Sequence, residues 1–86
     1  MSVTETLRRV IRGLPVEIVT GKGGMALVFV GDEYAGSVER DEALGTWGAF
    51  PLYRVGEPRT SEGMWGAIDA LIIEHVETAM KAVTAR

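Results

Sequence analysis

The chain contains no cysteine and only one histidine. That excludes a disulfide framework and leaves a Cys/His zinc site without ligands to draw on. Absence of cysteine fits a reducing compartment, so a cytoplasmic location is expected. The longest apolar run, Met25–Val30, is far too short to span a bilayer. The opening MSVTETLRRV has neither an apolar stretch nor a cleavage pattern, so neither a signal peptide nor a membrane association is expected. Basic residues are the minority: nine Lys and Arg against twelve Asp and Glu give a formal charge of −3. A dedicated nucleic-acid binder is usually basic, and the balance weighs against that class.

What is abundant is apolar side chain, 47% of an 86-residue chain. Residues 1–86 form a single domain, which buries roughly 60–65% of its unfolded surface. A body this small cannot hide so much apolar surface, and self-association as a homodimer is the expected remedy.

Local patterns give an α+β reading. Residues 2–12 read as a short helix: Ser2 and Glu5 form a capping box, and Val3, Leu7, Val10 and Ile11 recur at helical spacing. Arg8, Arg9 and Arg12 would suit its C-terminal end, and Gly13 and Pro15 would stop it. Four strands follow at residues 16–20, 25–30, 34–40 and 46–53, with Gly36 a candidate bulge. Their short connections favour an antiparallel meander. Residues 54–60 form an exit loop, and Thr60 or Ser61 caps a long helix reaching about residue 84. The order is thus α-β-β-β-β-α, a meander sheet packed by a long C-terminal helix.

Both the helix and the strands have apolar surface to spare. Met64, Trp65, Ile68, Leu71, Ile72, Val76, Ala79, Ala82 and Val83 fall on one side of the helix, and Ile73 and Met80 widen it to roughly 200°. Leu27 and Phe29 share one face of their strand while Val28 and Val30 share the other; Trp47 and Ala49 oppose Phe50 and Leu52. The long helix covers one face, the short helix part of the other, and a second copy the rest. Each tryptophan precedes a glycine (Trp47-Gly48 and Trp65-Gly66). Gly48 would let a helix approach the sheet, while the two aromatic rings pin helix to sheet. An exposed tryptophan would instead be an interface anchor, which makes Trp65, Ile73, Met80 and Trp47 the candidate interface.

No catalytic, cofactor-binding or metal-binding constellation emerges. His75, beside Glu74 in the apolar arc, reads as a partly buried structural residue; an acid/base role would need a pocket and a second titratable group. The segment GKGG at 21–24 joins strand to strand and lacks the phosphate-loop pattern, so it reads as a hairpin turn. Asp32, Glu33, Glu39, Asp41 and Glu42 form an acidic edge without calcium-loop spacing, suited to protecting an edge strand or docking a basic partner. Arg8, Arg9, Arg12, Arg54 and Arg59, with Lys22, make a phosphate-contacting patch if the first helix and the 54–59 loop lie together.

From Val28 to Leu71 the order strand, Gly31-Asp32 turn, Gly36, Val38, Trp47, Ala49, Thr60-Ser61, Ala67-Ile68, Leu71 resembles three-stranded-sheet-plus-helix modules of small actinobacterial and phage proteins. It is similar to the arm-type DNA-binding domains of phage integrases. That resemblance implies a small accessory protein whose sheet could enter a DNA groove. The arm-type face is basic and polar, whereas these strands are apolar on both faces and rimmed with acid. The expectation is a non-enzymatic accessory protein that binds another protein as a homodimer. The alternatives are a nucleic-acid-binding accessory protein using the arginine patch, and a small-molecule-binding or enzymatic dimer with a pocket at His75.

Overall fold

The computed structural model of the chain describes residues 5–21, 23–52 and 59–84. Six strands precede one helix: β1 (Glu5–Ile11), β2 (Leu14–Thr20), β3 (Met25–Val30), β4 (Glu33–Asp41), β5 (Thr46–Pro51), β6 (Arg59–Ser61) and α1 (Met64–Thr84). The strands form one sheet in sequence order, every neighbouring pair antiparallel. The α+β class, the meander and the C-terminal helix are as the sequence predicts. No helix among the described residues is long and apolar enough to cross a membrane.

The N-terminal element differs from the expected helix. Residues 5–11 form a strand paired along its whole length with β2, from Glu5 opposite Thr20 to Ile11 opposite Leu14. Leu7 and Ile11 meet helical spacing, but they also alternate, and as a strand both pack against the core. Pairing with the apolar β2 outweighs the weak capping signal at Ser2, which lies outside the described residues. What decides it locally is the turn. Arg12 (φ 53°) and Gly13 (φ 76°) both adopt positive φ, the geometry of a two-residue hairpin turn whose twist matches the strands. Gly13 therefore reverses a hairpin and does not end a helix.

The remaining strands follow the expected boundaries closely. GKGG lies in the β2–β3 hairpin connection, where the Gly21 amide donates to the Met25 carbonyl at 3.1 Å. Gly36 does sit at a bulge: Val28 opposes Gly36 and Phe29 opposes Tyr34, so Ala35 is the extra residue. β6, a three-residue strand, replaces part of the expected exit loop; residues 53–58 lie outside the described residues. Thr60 and Ser61 belong to this strand, so the helix starts later than expected. The Gly63 carbonyl accepts the Ala67 amide at 3.2 Å as α1 begins.

The core lies between α1 and one face of the sheet. Val16, Ile18, Ala26, Val28, Val30, Ala35, Val38 and Ala49 meet Ala67, Ile68, Leu71 and Ile72, all buried. The helix spans 21 residues, about 31 Å, and packs on β3, β4, β5 and β6. Its position resolves the Trp-Gly pairs. Trp47 lies on the helix side with Ala49, so Gly48 faces away from α1 and is not where the helix approaches. The glycine that admits the helix is Gly36, whose missing Cβ would collide with the Phe50 carbonyl and stand 2.9 Å from Leu71 Cδ2. Gly66 leaves room for the hydroxyl of Ser61.

Candidate functional site

Because β1 joins the sheet, no N-terminal helix covers the second sheet face. Counting by alternation from the buried Ile18, Val28, Val38 and Ala49 places two cross-strand rows on that open face. One runs Thr6, Val19, Leu27, Ser37, Phe50; the other runs Arg8, Glu17, Phe29, Tyr34. Val19, Leu27, Phe29 and Tyr34 are half-buried by one another, and Met25 and Phe50 are exposed. The Phe29 and Tyr34 rings pack with centroids 5.4 Å apart, tilted by 54°. Among the described residues no element packs on this face. It is a largely apolar surface across four adjacent strands, interrupted by Glu17 and Ser37, and Phe50 at its β5 end is 39% exposed.

The proposed interface residues of the helix fall elsewhere. At about 100° per residue, Trp65, Asp69, Ile73 and Met80 share a sector of roughly 80°, beside the core sector of Ala67, Ile68, Leu71 and Ile72. Trp65 and Met80 are exposed, by 47% and 65%; Ile73 is half-buried. Trp47 is half-buried against the core on the helix side of the sheet. These four therefore do not share the open face. The apolar surface of Val19, Leu27, Phe29 and Phe50 is visible in the alternation of the strands, but its exposure depends on where residues 5–11 go.

A groove of about 740 Å³ opens between the C-terminal half of α1, the start of β2 at Leu14 and Pro15, and the β3–β4 turn at Gly31. Leu14, Val30, Val76, Ala79 and Met80 give it apolar walls, while Asp32, Glu33 and His75 line its lip. His75 Nε2 stands 3.3 Å from Glu33 Oε2; the histidine side chain is 20% exposed and that of Glu33 is 76% exposed. His75 is thus half-buried, as expected, and has a carboxylate in reach. Among the described residues the walls hold no serine, threonine or lysine.

The basic residues are spread out. Arg8 Nε stands 3.3 Å from Glu17 on the open face, and Arg9, on the opposite face, donates to the Arg8 carbonyl at 3.0 Å. Arg12 donates to Asp69 through Nε at 2.6 Å and through Nη2 at 2.9 Å. Arg59 begins β6, at the opposite edge of the sheet from β1. Arg54 and Lys22 lie outside the described residues. The acidic set is divided too: Asp32 and Glu33 sit at one end of β4, Asp41 and Glu42 at the other. Asp41 Oδ1 accepts the amides of Ala43 and Leu44 at 3.0 and 3.2 Å, organising the β4–β5 turn. Among the described residues no cluster of three or more His, Asp or Glu could hold a metal ion.

No family model, curated protein or solved structure matches this chain.

Proposed function

We propose that this chain is a small non-enzymatic accessory protein of the cytoplasm that acts by binding protein, and that it works as a homodimer. The observation that carries the protein-binding reading is the open sheet face, where Val19, Leu27 and Phe50 share one cross-strand row and Phe29 lies in the row beside it, with nothing over them among the described residues. Contiguous apolar surface of this kind marks an interaction site. Its centre is aromatic and aliphatic and its margin carries the Arg8–Glu17 pair, the usual arrangement of an interface core and rim. The absence of cysteine supports the cytoplasmic setting.

Light scattering across a concentration series tests the homodimer: the expected mass is twice that of the chain, and a monomer throughout would overturn it. Affinity capture with wild type and with Phe50→Glu tests the face. A protein retained by wild type and lost with the variant supports docking there. Equal capture by both places the docking surface elsewhere. Phe50 suits the comparison because its exposure lets glutamate be accommodated without unfolding the sheet.

A further inference from the structure

The sheet has two edges, and they are unlike. β6 is three residues long and lies under α1, which shields it. β1 is seven residues long, free of proline and bulges, and α1 packs on β3–β6, so that no described element pairs with the outer edge of β1. Its outward backbone groups can be assigned. The Glu5 carbonyl points to β2, where it accepts the Thr20 hydroxyl at 3.2 Å. The Arg8 carbonyl points away from β2, where the Arg9 guanidinium reaches it at 3.0 Å. By the alternation of an antiparallel ladder, Thr6, Arg8 and Val10 present their amides and carbonyls to the edge.

We infer that the homodimer forms by antiparallel pairing of β1 with β1 of a second copy, centred on Leu7. This rests on the proposal that the chain is a homodimer, and it names the surface that makes it. The side chains select the register. Outward groups must pair with outward groups, so the two-fold can pass only through certain positions. Centring on Arg8 or on Arg9 sets a guanidinium opposite itself, which is repulsive. Centring on Thr6 pairs only Glu5, Thr6 and Leu7 of the described strand, and centring on Val10 pairs only Arg9, Val10 and Ile11. Centring on Leu7 sets Leu7 against Leu7 and Glu5 against Arg9 twice, and it pairs Thr6 with Arg8 through the backbone. The Arg8 carbonyl then accepts the partner's Thr6 amide, and Arg9 turns from that carbonyl to the partner's Glu5. The charges that block indiscriminate edge pairing thus admit one partner in one register.

A two-fold of this kind runs normal to the sheet. Both helices fall on one side, and the two open faces merge into a single surface on the other. The dimer covers neither open face; it doubles the docking surface.

The test uses the full chain, which has no cysteine of its own. A pair centred on Leu7 is a non-hydrogen-bonded pair with Cα atoms about 4.5 Å apart, within disulfide range. Mild oxidation of Leu7→Cys is expected to give a covalent dimer. Val10→Cys is not, whereas a mixture of Glu5→Cys and Arg9→Cys is expected to cross-link between the two variants. In light scattering, Arg9→Glu sets carboxylates opposite each other and is expected to raise the dissociation constant about tenfold or more. Adding Glu5→Arg restores the dimer. Rescue by the double exchange excludes a mere folding defect. A wild-type dimer that neither cross-links at Leu7 nor responds to Arg9→Glu overturns the β1 interface while leaving the homodimer standing. A monomeric wild type overturns both.

Discussion

Arg12 grips Asp69 with two parallel hydrogen bonds, of 2.6 and 2.9 Å, across 57 residues of sequence. The bond joins the β1–β2 turn to α1, and it holds a residue whose φ of 53° is unfavourable for any side chain bearing a Cβ. The bidentate geometry is the strong form of this pairing. Asp69 is held below the ordinary carboxylate range chiefly because Arg12 donates to it; partial desolvation opposes this and the guanidinium charge adds to it.

Stability should therefore depend on pH through this pair. In the window between the lowered native pKa and the ordinary unfolded one, the unfolded chain binds more protons, so stability rises with pH. The contribution is complete above the ordinary carboxylate range and is lost as pH falls through the native pKa of Asp69. Asp69→Ala is expected to lower Tm by a few degrees at neutral pH. The gap to wild type should close in acid, below the native pKa. Thermal melts of both proteins from neutral to acid pH check this; a constant gap across the range would show that the lost contact is not ionic.

Two glycines should respond oppositely to alanine. At Gly36 (φ 144°) a Cβ would strike the Phe50 carbonyl and press on Leu71 Cδ2 at 2.9 Å and Pro51 Cα at 3.0 Å, two of them backbone atoms that cannot yield. Gly36→Ala is expected to cost about 2–5 kcal/mol, combining backbone strain and overpacking. At Gly66 the clash is with the Ser61 hydroxyl, which can rotate away, and Ser61 Cβ at 3.3 Å needs only a small shift. Helix propensity favours alanine there by about 1 kcal/mol. Gly66→Ala should be neutral or slightly stabilising. Urea midpoints measure both, and a mild Gly36→Ala would mean that the β4–β5 backbone yields at Phe50 and Pro51.

How much of this was legible in sequence follows from the same residues. Gly36 was readable as a bulge because a glycine interrupts an otherwise regular strand pattern, and both β3 and the helix face stood out by period. The N-terminal strand was not. Leu7 and Ile11 satisfy helical spacing as well as a strand's alternation, Val10 fits the helix alone and is exposed in the strand, and only pairing with Val16 and Ile18 across the Arg12–Gly13 turn decides for the strand. An Arg-Gly turn lacks the Asn or Asp that marks such hairpins. β6 has three residues, too few for any period. The site depends on the same residues: a helix at 2–12 would cover part of the second sheet face, whereas the strand leaves the Phe29–Phe50 surface open among the described residues.

Duplex DNA should bind weakly at best. Arg8 and Arg12 each have a carboxylate partner, and Arg59 begins at the far edge of the sheet from both. Among the described residues no row of cations shares one face, so they offer no set of phosphate contacts to release counterions. Anisotropy of labelled duplex titrated with the protein at low salt is expected to stay flat at micromolar concentrations. Tight binding that collapses with added salt would instead favour the arginine-patch reading.

The last prediction separates the helix flank from the sheet edge as the dimer contact. Trp65 is 47% exposed on a sector shared with Ile73 and Met80, whereas Trp47 is half-buried beside the core. In Trp47→Phe all tryptophan emission comes from Trp65, and that substitution keeps an aromatic ring at the helix–sheet boundary. If the flank were the contact, dimerisation would bury Trp65, shift its emission to the blue and cut its quenching by acrylamide. Pairing through β1 leaves α1 of each copy on its own sheet, away from the shared edge. Quenching is therefore expected to stay constant as concentration is raised through the dimer transition that light scattering is expected to show. A fall in quenching over that range would move the interface to Trp65, Ile73 and Met80.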